Sequence, residues 1–147
     1  MPVVATPLVA LVGFKRSKLA MLGGVRLLVV RDGVARLLDG KGTTDLDVAM
    51  GELTVRLTRT KTVELRTDSV SAYVYGIPDA TRIREDLKQV IARELDLATG
   101  GGTREVAVLG PVPSGFTTLM PIKELAGQIR MGNALAEALR QRGAAGD

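Results

Sequence analysis

Cysteine, histidine and tryptophan are absent from this chain, and aromatic residues make up only 3% of it. Without cysteine there is no disulfide framework, no thiolate metal site and no cysteine nucleophile. Without histidine the usual general base, the imidazole of a catalytic triad and the commonest transition-metal ligand are missing. Scarce aromatics count against the stacking platforms of single-strand nucleic-acid modules. The serines are no better placed for chemistry: Ser17, Ser69, Ser71 and Ser114 lie outside any Gly-x-Ser-x-Gly elbow. No run reaches the ~18 apolar residues that a membrane-crossing helix needs. The N-terminus lacks the charged start of a secretory leader. The chain therefore reads as soluble, intracellular and cytoplasmic, a compartment with which the lack of disulfides agrees. No catalytic, metal-ligating or cofactor-binding residue is expected.

What is present is mostly aliphatic. The 147 residues make one domain's worth of chain, enough for one sizeable core. The net charge is +4, and the basic excess lies in the first two thirds. It serves either as ordinary solubilising charge or as a face for acidic headgroups, nucleic acid or an acidic partner.

The stretch from Asp45 to Tyr75 organises the rest. It reads as four short strands whose apolar residues stay in phase. A two-residue loop at Gly51-Glu52 predicts a hairpin that sets Met50 against Leu53, Val48 against Val55 and Asp47 against Arg56. A three-residue loop at Arg59-Thr60-Lys61 sets Leu57 against Val63 and Val55 against Leu65, and is favoured over one long strand from Leu53 to Arg66 with Arg59 and Lys61 pointing out past a barrel edge. A turn at Asp68-Ser69 sets Leu65 against Ala72 and Val63 against Val74. A one-residue slip would expose every apolar residue, so the register is well specified.

Before this stretch, Val3 to Val12 suits either a buried strand or a short helix. The cluster Phe14-Lys15-Arg16-Ser17-Lys18 follows. Asp32-Gly33 between apolar runs predicts a type I′ hairpin that opposes Val30 to Ala35, Leu28 to Leu37 and Arg26 to Asp39. Leu27, Val29 and Leu38 fall on its other face, so this hairpin is expected to be covered on both sides. Gly40-Lys41-Gly42-Thr43 has neither the spacing nor the strand-to-helix setting of a phosphate-binding loop. Asp45 and Asp47 share a strand face, where Arg56 is expected to answer Asp47; as edge charges they guard against aggregation rather than hold a cation.

After Tyr75, Asp79 is a plausible N-cap for an amphipathic helix to about Leu97. Ile83, Leu87, Val90, Ile91 and Leu95 form its apolar stripe, and Arg82, Arg84, Glu85, Asp86, Lys88, Gln89, Arg93 and Glu94 its solvent face. Thr99 to Thr103 is a flexible joint, Arg104 to Leu109 a further strand, and Pro121 the start of a second helix striped by Ile122, Leu125, Ile129, Leu135 and Leu139. The tail from Gly143 is expected to fray.

The predicted fold class is α+β. It is an antiparallel meander of six to seven strands, a sandwich or partly open barrel, capped by an amphipathic helix. Residues 1–98 form that unit, and 99–147 a C-terminal strand-helix extension on the same domain or on a partner. Seven strands followed by one helix resembles the pleckstrin-homology-like superfold over Val3 to Leu97. The likeness rests on topology and leaves Thr99 to Asp147 as an appendage. Members are mostly non-enzymatic binding modules for lipids or protein partners. In lipid-binding members, basic residues after the first strand hold phosphates, and Lys15, Arg16 and Lys18 lie in the matching place. The helix carries no tryptophan, where many eukaryotic members have one.

The resemblance implies an adaptor that meets an acidic membrane surface or a protein partner through Lys15, Arg16, Lys18, Arg59 and Lys61. A structural subunit of a ring, tube or other homo-oligomer is the alternative. Salt-sensitive, sequence-blind nucleic-acid binding is the weakest of the three.

Overall fold

The computed structural model describes residues 6–16, 24–58, 62–76, 83–101, 105–109, 122–124 and 131–146, with backbone alone at 122–124 and 131. Among these residues the chain is an α+β fold with one mixed sheet, open rather than closed into a barrel, and two α-helices.

In chain order the strands are β1 (Leu8–Lys15), β2 (Gly24–Arg31), β3 (Val34–Leu38), β4 (Thr44–Ala49), β5 (Thr54–Leu57), β6 (Val63–Arg66) and β7 (Ser71–Tyr75). Helix α1 (Glu85–Thr99) follows, then β8 (Val106–Leu109), β9 (Ile122–Glu124), α2 (Met131–Gln141) and the two-residue β10 (Ala145–Gly146). Across the sheet they run β10-β5-β6-β7-β1-β2-β3-β4, with β8 joined to both β1 and β9. Pairing from β5 across to β4 is antiparallel. Strands β8, β9 and β10 add in parallel.

The uninterrupted apolar run of β1 is a strand because it is buried on both faces, the condition under which alternation disappears from sequence. Leu8, Ala10, Val12 and Phe14 enter one core, and Val9 and Leu11 the other. The Asp32-Gly33 turn has φ of 55° and 75°, the double positive φ of a type I′ hairpin, which glycine takes without steric cost. Its register is the expected one at Val30/Ala35 and Leu28/Leu37. Arg26 does not meet Asp39, however; it reaches Asp45 on β4.

The two cores explain why β2 and β3 are apolar on both sides. The first gathers Leu28, Leu37, Leu46, Val48, Leu53, Val55, Val63, Leu65 and Val74 with Leu135 and Leu139 of α2. The second gathers Leu27, Val29, Leu38 and Val106 with Leu87, Val90, Ile91 and Leu95 of α1. Each fully buried aliphatic side chain contributes about 1.5–3 kcal/mol before chain entropy is charged against it.

Several expectations need correction. Gly51-Glu52 is not a hairpin loop: Met50–Glu52 is a 3-10 turn, and among the described residues β4 pairs only with β3, while β5 pairs with β6 and β10. Met50 is buried and its N–H donates to the Gly33 carbonyl at 2.9 Å, which ties β4 to the β2–β3 turn. Inward-facing Leu46, Val48, Leu53 and Val55 suit either arrangement, so parity alone could not choose the neighbour. Asp47 accordingly faces Arg36 rather than Arg56.

Residues 122–124 are a parallel strand beside β8, not the first turn of a helix, and α2 starts only at Met131. The tail does not fray: Ala145 and Gly146 pair with Thr54 and Val55. Glu94 is buried against Arg31 of β2 at 3.4 Å, where the sequence puts it on the solvent face of α1. The expected cap at Asp79 lies outside the described residues; α1 is preceded by extended Arg84. The registers of β5–β6 and β6–β7 are the expected ones.

Candidate functional site

The sheet has three regions where polar groups gather, and each follows from register. The first is the mouth of the larger core. On β1 and β2, Phe14 and Arg26 share the parity of Val12 and Leu28, so both face that core. Between Leu37 and Leu38 the β3–β4 register slips. Such a bulge leaves one residue over and re-aims its side chain. Asp45 is that residue, and it turns away from Asp47 to accept a hydrogen bond from Arg26 Nε at 2.6 Å. Arg16 adds a second at 3.0 Å from Nη2. The Arg26 guanidinium also lies over the Phe14 ring, 5.1 Å from its centroid. One carboxylate thus holds two guanidinium groups, so Arg16, one of the three cations expected in the loop after β1, is paired within the chain. The same pairing removes Asp45 and Asp47 from one face, where a shared cation was weighed. Among the described residues no group of three acidic residues is placed to hold a metal ion.

The neighbouring β3–β4 turn settles the Gly-Lys-Gly-Thr stretch. The Asp39 carboxylate accepts from the backbone N–H of Lys41 and of Thr43, both at 2.9 Å. Those donors are the ones a phosphate would need. A cleft of about 360 Å³ lies beside it, between this turn, the start of β2 and the start of α1, and mixes Lys41, Arg84 and Arg26 with Asp39 and Asp86.

The second region is the outer face of β5–β7. Across four strands, Lys15, Tyr73, Glu64 and Arg56 form one row. Arg66 stands in the next row, beside Thr54 and Ser71. These side chains point away from the larger core, which α2 joins, and toward the face on which α1 packs against β1, β2 and β8, with Tyr75 at the margin of the α1 cluster. Glu64 is 7% exposed although it lies on a sheet surface. It accepts from the Tyr73 hydroxyl at 2.8 Å and pairs with Arg66 at 3.0 Å. That hydrogen bond, then burial, then the charge of Glu64 raise the Tyr73 pKa above its ordinary 10.0, against the pull of Arg66 and Arg56. Among the described residues the face carries three cations, Lys15, Arg56 and Arg66, around one carboxylate.

The third region is the free edge of β4. A groove of about 320 Å³ separates it from the β6–β7 turn, lined by Thr44 to Val48, Glu52 and Thr67 to Val70.

Of the five residues read from sequence, the structure describes two. Lys15 ends β1, half-buried beside Tyr73, and Arg16 follows it, exposed, on Asp45. Lys18, Arg59 and Lys61 lie outside the described residues. The hairpin that carries Arg59 and Lys61 closes at Thr58 and Thr62, whose backbone groups bond at 2.8 Å. In register Thr58 and Thr62 lie level with Gly13 and Tyr75, whereas β1 runs on from Lys15 the opposite way. Sequence reasoning missed Arg56 and Arg66 as partners of Lys15. Their common parity with Glu64 and Tyr73 was the available signal. No family model matches the chain, and no curated protein matches it in sequence.

Proposed function

We propose that the chain is a non-enzymatic binding module whose outer β5–β7 face, with Lys15, Arg56 and Arg66, meets an acidic membrane surface. The observation that carries this reading is the row Lys15-Tyr73-Glu64-Arg56, with Arg66 beside it, on the same sheet face as α1 but past β1, β2 and β8, against which α1 packs. A sheet face on which cations outnumber carboxylates attracts a plane of negative headgroups, each exposed cation adding about 1 kcal/mol near such a surface. Arg66 offsets the charge of Glu64, so Lys15 and Arg56 supply the positive excess of this face.

The strand order 4-3-2-1-7-6-5 supports a pleckstrin-homology-like arrangement, in which the meander and the helix after it form the binding unit. The chain departs from that scheme at its end. Helix α1 lies on the outside of β1 and β2, while α2 and β8, the expected appendage, contribute to the larger core.

The test is co-sedimentation with vesicles containing phosphatidylserine, at low and at high salt. Binding at low salt, its loss at high salt and its loss in the Arg56→Glu/Arg66→Glu protein support the reading. Equal retention on neutral vesicles, or unchanged binding of the double variant, overturns it.

A further inference from the structure

The free edge of β4 is a different kind of surface, and its backbone can be assigned from register. In a type I′ hairpin the residues flanking the turn exchange both hydrogen bonds, here Arg31 and Val34. Bonded and non-bonded pairs then alternate, so Val34 and Arg36 turn their N–H and C=O toward β2, and Ala35 and Leu37 toward β4. Their partners Val48 and Leu46 are therefore engaged on β3. The Met50 N–H bond to Gly33, two residues on from Val48, fits the same alternation. Asp47 and Ala49 are left with N–H and C=O groups directed outward, and among the described residues no strand pairs with β4 on that side.

Opposite this edge stands the β6–β7 turn, and the groove between them has a definite chemistry. Its lining holds four carboxylates, Asp45, Asp47, Glu52 and Asp68, and no lysine or arginine. Asp45 is taken by Arg26 and Arg16, and Asp47 shares a half-exposed contact with Arg36. Glu52 and Asp68 are exposed. Between the acids lie Leu46 and Val48 of the strand and Val70, which is 39% exposed.

We infer that the β4 edge receives an extended, basic segment of a partner protein as an added strand. Side chains on neighbouring strands share a face. The residue of the incoming segment beside Asp47 therefore lies on the solvent side among the carboxylates, where lysine or arginine fits. The residues flanking it turn inward, between Val48 and Val70, where aliphatic side chains fit. The required pattern is basic and aliphatic residues in alternation. A second copy adding through its own β4 is disfavoured, because two-fold pairing brings Asp47 and Glu52 of each copy toward the same acids of the other. The opposite end of the sheet is occupied at β5 by β10.

The probe is the capped hexapeptide Lys-Val-Arg-Val-Lys-Val, with the same peptide N-methylated at alternate backbone positions and a Glu-Val-Glu-Val-Glu-Val control. Binding to the full chain is read by fluorescence anisotropy. Two variants separate the contributions. Asp47→Lys/Asp68→Lys reverses the groove's charge. Ala49→Pro removes one outward N–H at a residue whose φ is already −63°, the value proline imposes, so the strand itself is retained. The expected result is binding of the basic peptide alone, with affinity about tenfold weaker in Ala49→Pro, roughly the loss of one ladder hydrogen bond. The charge-reversed variant is expected to lose binding, and circular dichroism to show both variants folded as the parent. Equal binding of the acidic or the N-methylated peptide overturns the inference. So does an affinity that neither variant changes, or a parent dimer in light scattering that Ala49→Pro abolishes, which would put a second copy on the edge.

Discussion

Replacing Leu139 by alanine tests whether the C-terminal helix is part of the fold or an ornament on it. Leu139 is completely buried, in one cluster with Val55, Val63, Leu65 and Leu135. Truncation there removes transfer energy and leaves a cavity that strands on one side and a helix on the other cannot readily collapse. Such changes cost about 2–5 kcal/mol. A domain of this size holds about 5–15 kcal/mol in all. With a urea slope of about 2 kcal/mol per molar, a loss of about 3 kcal/mol lowers the midpoint by about 1.5 M. The control is Leu97→Ala on α1, where the side chain is 45% exposed and the cost stays within about 0.5 kcal/mol. Urea melts followed by far-ultraviolet circular dichroism read both. If Leu139→Ala moves the midpoint no further than Leu97→Ala, α2 does not belong to the core. The same holds if a helical signal melts alone while the sheet keeps its parent midpoint.

Three further outcomes are expected. Asp45→Asn leaves the part-buried Arg26 without its carboxylate and costs about 1–3 kcal/mol; in double-mutant cycles its coupling to Arg26 exceeds that to Arg16, whose side chain is 78% exposed. Tyr73 has a raised pKa, so its bond to Glu64 stabilises the fold fully below the ordinary phenol value of 10.0 and fades as pH rises through the higher folded value. The stability gap between the parent and Tyr73→Phe should therefore be present at neutral pH and shrink in strong base, and a gap that widens there refutes the assignment. Gly13→Ala sets a methyl group into the Tyr75 ring and costs about 1–3 kcal/mol; Tyr75→Ala in the same chain should recover part of it in thermal melts.

Much of the fold was legible in the sequence. Asp32-Gly33 announced its hairpin because only a few residues accept two successive positive φ values. The β5–β6 and β6–β7 registers were legible because a slip there would turn Val63, Leu65 and Val74 to water. What alternation could not show was which strands become neighbours. Leu46, Val48, Leu53 and Val55 face inward whether β4 meets β5 or not, and the outcome was decided at a distance by the Met50–Gly33 bond. The second half of the chain was misread for a related reason. Ile122, Leu125 and Ile129 have helical spacing, but parallel pairing with β8 outweighs that local preference at 122–124. The polar clusters were the least legible. Asp45 reaches Arg26 only because of a bulge, and Lys15 joins Arg56 only through two intervening strands.

The position of β1 has a consequence for how the protein comes to exist. The first strand in the chain is the hub of the sheet, bonded to β2 at once but to Tyr73–Tyr75 and Ala107–Leu109 only after long intervening segments have been made. A nascent chain therefore carries Leu8 to Phe14 without most of their lasting neighbours until synthesis has passed Leu109. Closing such distant pairings places the protein with domains that fold in milliseconds to seconds. The same apolar strand, waiting in the open, is where a chaperone has its opportunity and where aggregation begins when folding stalls.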